Sequence, residues 1–145
     1  MYKNILIPTD GSDLAEKAVQ HGINLAKEMG AKINVLIVLE PFHVFTFSTR
    51  SVEDTPEEYK KEMQRYATKT LDAASNKART LGVPCDTIQV EHEHPYQAII
   101  ETARSKGCDL IVMASHGRRG ISAIVLGSQT VKVLTHSKIP VLVHR

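Results

Sequence analysis

Residues 3–39 read KNILIPTDGSDLAEKAVQHGINLAKEMGAKINVLIVL, and the pattern of this stretch decides the fold. At 3–9 (KNILIPT) the consecutive apolar side chains Ile5, Leu6 and Ile7 fit a strand buried on both faces. Ser12 is placed to cap a helix over about 13–29. The inward face of that helix is predicted to be Leu14, Ala15, Ala18, Gly22, Leu25, Ala26 and Met29, at spacings of three and four. Gly30 ends the helix, and residues 32–39 (KINVLIVL) form a second strand.

The same alternation runs to the end of the chain. A long loop is expected over 41–54 (PFHVFTFSTRSVED). A helix then covers about 56–81, with Tyr59, Met63, Tyr66, Ala67, Leu71, Ala74, Ala78 and Leu81 on one face and Gly82 as its stop. A third strand at 84–91 alternates at Ile88 and Val90. Pro95 opens a third helix, with Tyr96, Ile99, Ile100 and Ala103 inward, ending near Gly107. Residues 109–114 (DLIVMA) are the fourth strand, a glycine-bearing loop covers 115–127, a fourth helix runs over about 128–136, and 139–144 (IPVLVH) is the fifth strand. Such alternation implies parallel strands joined by right-handed crossovers, with helices on both faces. The chain has 145 residues, no repeat and no linker, so one domain over 1–145 is expected.

Composition narrows the function classes. The 18 basic and 16 acidic side chains leave a formal charge of only +2, too little to argue for capture of nucleic acid, which needs a clustered basic surface. Cys85 and Cys108 stand alone without CxxC spacing and read as reduced, mostly buried thiols. The opening Met-Tyr-Lys-Asn runs straight into a strand pattern rather than a leader. The apolar run Ile33–Leu39 is too short to cross a bilayer. A cytoplasmic protein without membrane contact is expected.

In open parallel sheets a ligand binds beyond the carboxyl ends of the strands, where strand order reverses. Two loops there stand out. The first strand leads into Pro8-Thr9-Asp10-Gly11-Ser12. The fourth leads into Ala114-Ser115-His116-Gly117-Arg118-Arg119-Gly120 and on to Gly127-Ser128. Glycines let backbone N–H groups face a ligand, and a helix start suits phosphate. The alternative is a flexible loop followed by a capped helix. There is neither a Gly-Lys-Ser/Thr phosphate loop nor a GxGxxG after the first strand. Asp10 suits a ligand contact at the switch point or a turn into the helix. An acidic phospho-acceptor site is not supported, because the third strand ends in Glu91-His92-Glu93-His94. His92 and His94 alone make a weak metal pair, better read as part of a solvated loop. His116 suits either a phosphate contact or a loop-shaping hydrogen bond. Arg118 and Arg119 fit either a screen for phosphates or solvated side chains. Phe42, Phe45 and Phe47, in the loop after the second strand, suit a lid, a subunit contact or simple anchoring. The last strand is apolar and expected at a sheet edge, where it invites pairing.

Together these residues resemble the universal stress protein family. Its nucleotide-binding members carry Gly-x-x-Gly, nine residues, then Gly-Ser/Thr. Here Ala114-Ser115-His116-Gly117 is followed by Arg118 to Leu126 and then Gly127-Ser128, and ILIPTDGS and LGSQTVKVLTHSKIPVLV match the family's opening and close. The expected fold is a doubly wound α/β domain with a five-stranded parallel sheet in the order 3-2-1-4-5. The resemblance implies ATP as ligand, with Mg²⁺ or Mn²⁺ bridging its phosphates. Pro8 and Thr9 would border the adenosine, Asp10 would accept from the ribose hydroxyls, and Val38 would contact adenine. Met113 and Ala114 would flank the adenosine. Gly117, Gly127, Ser128 and Gln129 would offer backbone donors to the phosphates, with the Ser128 and Thr130 hydroxyls and His116 nearby. Ala114 departs from the first motif glycine, at a cost of about 1–2 kcal/mol if the backbone there must be left-handed. The resemblance further implies a homodimer through residues 139–144 that acts as a nucleotide-responsive regulatory module toward another protein. A nucleotide-free scaffold of the same fold, or a weak ATPase, are the alternatives. No nucleophile–base–orienter set is visible in the sequence.

Overall fold

The computed structural model describes residues 1–41, 55–117 and 126–145. The expectations for Phe42, Phe45 and Phe47, and for Arg118, Arg119 and Gly120, lie outside the described residues. Five strands and four helices alternate: β1 (Asn4–Pro8), α1 (Asp13–Met29), β2 (Lys32–Leu39), α2 (Pro56–Thr80), β3 (Cys85–Glu91), α3 (Pro95–Ser105), β4 (Leu110–Ala114), α4 (Ser128–His136) and β5 (Val141–His144). The sheet order is β3-β2-β1-β4-β5 and every pairing is parallel. β5 therefore lies at one edge, and order reverses between β1 and β4, as expected.

Alternate residues of each strand feed two cores. Ile5, Ile7, Ile33, Val35, Ile37, Leu110 and Val112 face α1 and α2. Leu6, Leu36, Ile111 and Met113 face α3 and α4. Burial on both sides explains why β1, β2 and β4 read as unbroken apolar runs rather than alternating ones.

The buried stripe of α1 is Ala15, Ala18, Val19, Gly22, Ile23 and Ala26. Leu14, Leu25 and Met29, expected inward, are only half-buried, while Val19 and Ile23 are almost fully enclosed. The stripe centres on Gly22 because Ile7 occupies the space there: a Cβ on Gly22 would fall 2.5 Å from Ile7 Cδ1. In α3, Ala98, Ile99, Thr102 and Ala103 are buried, and Tyr96 and Ile100 sit at the rim.

α2 spans 25 residues, about 37 Å at a rise of 1.5 Å per residue, against about 26 Å for the longest strand. Its excess length overhangs the carboxyl end of the sheet. Ala67, Leu71, Ala74 and Ala78 are buried against the strands. Tyr59, Met63 and Tyr66, also expected inward, are half-buried on the overhang. There the Tyr59 hydroxyl donates to the Glu40 carbonyl at 3.3 Å. A capping box joins Thr55 and Glu58 at the start of α2.

The opposite end of the sheet is closed by a polar cluster. Asn34 Nδ2 donates to Asn4 Oδ1 at 2.6 Å and to Cys108 Sγ at 3.6 Å. Asn4 Nδ2 donates to the carbonyls of Lys106 and Gly107, and the Asp109 carboxylate accepts from the N–H groups of Lys3 and Asn4. Asn34 is 2% exposed, so this set of mutual partners is what makes its burial tolerable. Cys108 is buried, Cys85 is half-exposed, and both are free thiols. Among the described residues no helix is long and apolar enough to cross a membrane.

Candidate functional site

The site is built where β1 and β4 diverge. β1 ends at Pro8, and the chain turns through Thr9-Asp10-Gly11-Ser12 before α1. Thr9 N–H donates to the Leu36 carbonyl at 2.8 Å, which ties the turn to β2. Gly11 N–H donates to Thr9 Oγ1 at 3.1 Å and Ser12 N–H to Asp10 Oδ1 at 2.9 Å. Ser12 Oγ then caps α1 by accepting from Ala15 N–H. Gly11 has φ +79°, the left-handed conformation that favours glycine.

The two carboxylate oxygens of Asp10 face different neighbours. Oδ1 closes the turn onto Ser12. Oδ2 projects across to the β4 loop, where it lies so close to Gly117 that a Cβ on residue 117 would collide with it. The carboxylate and the glycine loop therefore meet at the switch point.

At the end of β4, Ser115 N–H donates to the His144 carbonyl at 2.8 Å and its carbonyl accepts from Gly127 N–H at 2.8 Å. The loop thus leaves and returns through Ser115. Gly127 was expected to offer its amide to phosphate; that amide is engaged by Ser115. A Cβ on Gly127 would sit 3.0 Å from His116 Cα, so this glycine serves close packing of the two loop ends. His116 Nδ1 lies 3.2 Å from Ser115 Oγ, a contact of the loop-shaping kind. It also brings together two side chains that sequence adjacency alone could not pair.

α4 begins at Ser128 with Gly127 as its N-cap and no side-chain cap. Its first intrahelical bond runs from Val131 N–H to the Gly127 carbonyl, so the N–H groups of the first turn face outward at the positive end of the helix. Ser128 is exposed. The other two polar side chains of this turn join neighbouring elements. Thr130 is 3% exposed, and its hydroxyl donates to the Ala114 carbonyl at 3.0 Å, which ties α4 to β4. Gln129 Oε1 accepts from Tyr96 N–H at 3.0 Å. It supplies the cap that His94, the N-cap of α3, does not provide.

The expected adenosine wall divides between the two faces of the sheet. Val38 and Met113 share the α3/α4 face, and Pro8 is buried. The Ala114 side chain turns the other way and packs on Ala15 and Ala18 of α1. Among the described residues no non-glycine has a positive φ, so Ala114 carries no left-handed strain and the methyl is accommodated in the α1 interface.

Tyr66 was expected only as an inward-facing residue of α2. Its hydroxyl donates to the Asp10 carbonyl at 2.6 Å, and its phenol fills the space that a side chain on Gly11 would need. Elsewhere, His92 Nδ1 accepts from His94 N–H at 2.9 Å. Among the described residues no three His, Cys, Asp or Glu side chains are grouped to hold a metal ion.

The sequence profile of the Universal stress protein family matches residues 1–145. The chain is 36% identical to universal stress protein YxiE of Bacillus subtilis, with all of both chains aligned. It is 30% identical to MJ0577 of Methanocaldococcus jannaschii over 99% of this chain and 94% of that one. The solved structure of MJ0577 superposes with a TM-score of 0.82, covering 99% of this chain and 96% of that chain. A universal stress protein solved in complex with cAMP shares the fold at 24% identity, with a TM-score of 0.71 over 98% of this chain and 95% of that one.

Proposed function

The chain belongs to the universal stress protein family, and from that premise we propose that it binds ATP at the β1–β4 switch point and works as a nucleotide-responsive regulatory module. The observation that carries this reading is the meeting of the Asp10 carboxylate with Gly117, beside the uncapped first turn of α4. A carboxylate suits the hydroxyls of a ribose, and open N–H groups at a helix start suit phosphate. One ligand carrying both groups satisfies both features.

In this reading Asp10 Oδ2 accepts from the ribose, while Val38, Met113 and Pro8 border the base. The N–H groups of Ser128 and Gln129 receive the phosphates, with the exposed Ser128 hydroxyl beside them. Gly117 contributes by lacking a side chain. Mg²⁺ or Mn²⁺ travels with the phosphates and lowers their charge. Support for an adenine nucleotide as the ligand class comes from the fold relative solved with cAMP.

The regulatory part of the proposal needs ATP to favour one state of the protein over another. The homodimer is assigned to the β5 edge, where Val141, Leu142 and Val143 are only half-buried in the single chain. Two nearby side chains of α4, Val131 and Leu134, are apolar and exposed, which supports a covered surface on this side.

Isothermal calorimetry of the purified protein with ATP and Mg²⁺ tests the binding claim. A saturable heat near one nucleotide per chain, lost in Asp10→Ala, is the expected result. No heat at millimolar nucleotide overturns the claim. Light scattering at micromolar concentration is expected to give a dimer mass, and a monomer mass overturns the assembly.

A further inference from the structure

Tyr66 joins two parts of the molecule that are far apart in sequence. Its hydroxyl donates to the Asp10 carbonyl at 2.6 Å, and its ring end occupies the room left by Gly11. Two bonds of the β1–α1 turn are local: Thr9 Oγ1 accepts from Gly11 N–H, and Asp10 Oδ1 accepts from Ser12 N–H. Local bonds of this kind fix the shape of a turn, not its position on the sheet. Thr9 N–H anchors the start of the turn to Leu36. Tyr66 anchors its middle, at the residue whose other carboxylate oxygen faces Gly117.

From this geometry we infer that Tyr66 is a positioning residue for nucleotide selection: it holds the Asp10 backbone so that the carboxylate meets ribose hydroxyls. The inference rests on the nucleotide reading of the same site and adds a specificity determinant to it. Ribose recognition needs Oδ2 placed within hydrogen-bond distance of two hydroxyls at once, a tolerance of a few tenths of an ångström. A bond from a packed helix to the Asp10 backbone helps to set that distance. α2 supplies such a bond, because Ala67 and Leu71, which follow Tyr66 on the helix, are buried in the core and α2 packs on β2 and β3. The phenol thus transmits the position of a packed helix to the carboxylate. The half-buried setting of Tyr66 permits removal of the hydroxyl without opening a cavity in the core.

The test compares ATP with 2′,3′-dideoxy-ATP on wild type, Tyr66→Phe and Asp10→Ala by calorimetry. Wild type is expected to prefer ATP, and Tyr66→Phe to lose about three- to tenfold in ATP affinity while binding the dideoxy nucleotide as wild type does. In the Asp10→Ala background, adding Tyr66→Phe is expected to change neither affinity, because the group it positions is gone. Equal weakening toward both nucleotides would assign Tyr66 a purely structural role and overturn the inference, as would unchanged discrimination in Tyr66→Phe. Should wild type bind both nucleotides equally well, ribose recognition by Asp10 fails while nucleotide binding stands. Should it bind neither, the proposed function fails and the inference with it.

Discussion

Asp10 Oδ2 and the α-carbon of Gly117 lie so close that a Cβ on residue 117 would displace the carboxylate. This relationship joins the loops after β1 and β4, the two strands that flank the point where sheet order reverses. It also makes the space at residue 117 a direct control on where the carboxylate points.

Gly117→Asp places a second carboxylate against Asp10 and toward the phosphates. Like charges a few ångströms apart repel, and the added side chain moves Oδ2. ATP affinity is expected to fall at least about tenfold, a change of about 1.4 kcal/mol. Residue 117 is exposed and has no positive φ, so the thermal midpoint is expected to stay near that of wild type. Calorimetry with a parallel melting curve checks both halves.

Ala114→Gly restores the residue that the family's nucleotide-binding pattern has at this position. Because the backbone of Ala114 is not left-handed, no strain is relieved. The methyl packed on Ala15 and Ala18 is lost, and glycine in a strand costs about 0.5–1 kcal/mol relative to alanine. The expected outcome is a lower urea midpoint with unchanged ATP affinity. A large gain in affinity would show that the methyl obstructs the site.

Asn4→Ala removes the acceptor of the buried Asn34 amide and the donor to two loop carbonyls. Buried polar groups left without partners cost about 1–3 kcal/mol, which corresponds to a melting-temperature drop of roughly 3–10 °C for a domain of this size. The cluster lies at the end of the sheet opposite the β1–β4 loops, so ATP affinity is expected to persist below the transition. Scanning calorimetry with and without nucleotide measures both.

Burial raises the Cys108 thiol above its ordinary value of 9.0, and the neighbouring Asp109 charge adds to the effect. The folded protein therefore keeps this proton at pH values where the unfolded chain has released it. Stability from the thiol is complete below about pH 9 and declines as pH rises through the folded value. Urea midpoints at about pH 8 and about pH 10 are expected to differ more for wild type than for Cys108→Ala. Equal differences would contradict the assignment.

Much of this fold is legible in the sequence because parallel strands buried on two faces leave unbroken apolar runs, as in Ile5-Leu6-Ile7 and Ile33 to Leu39. Ser12, Gly30, Gly82 and Pro95 mark helix ends through local chemistry, and the helices begin or stop beside them. Asp10 and the glycine loop are legible as a pair because sheet topology places ligands at strand-order reversals. Side-chain direction is less legible. The buried stripe of α1 is set by Ile7 lying over Gly22, a contact between elements that helical spacing cannot supply. The Tyr66 bond to Asp10 spans 56 residues and leaves no local signal beyond a tyrosine on an apolar face. The Thr130 hydroxyl, expected beside the phosphates, serves the Ala114 carbonyl, and the Gln129 side chain serves Tyr96. Only the packed arrangement separates a polar side chain facing a ligand from one joining two elements.

The most direct test of the central claim is a backbone amide NMR titration with ATP and Mg²⁺. The largest shifts are expected at Asp10, Gly117, Ser128 and Gln129, with small changes along the outer face of α2. Saturating shifts confined to residues away from the β1–β4 switch point, or no shifts at millimolar nucleotide, would contradict it.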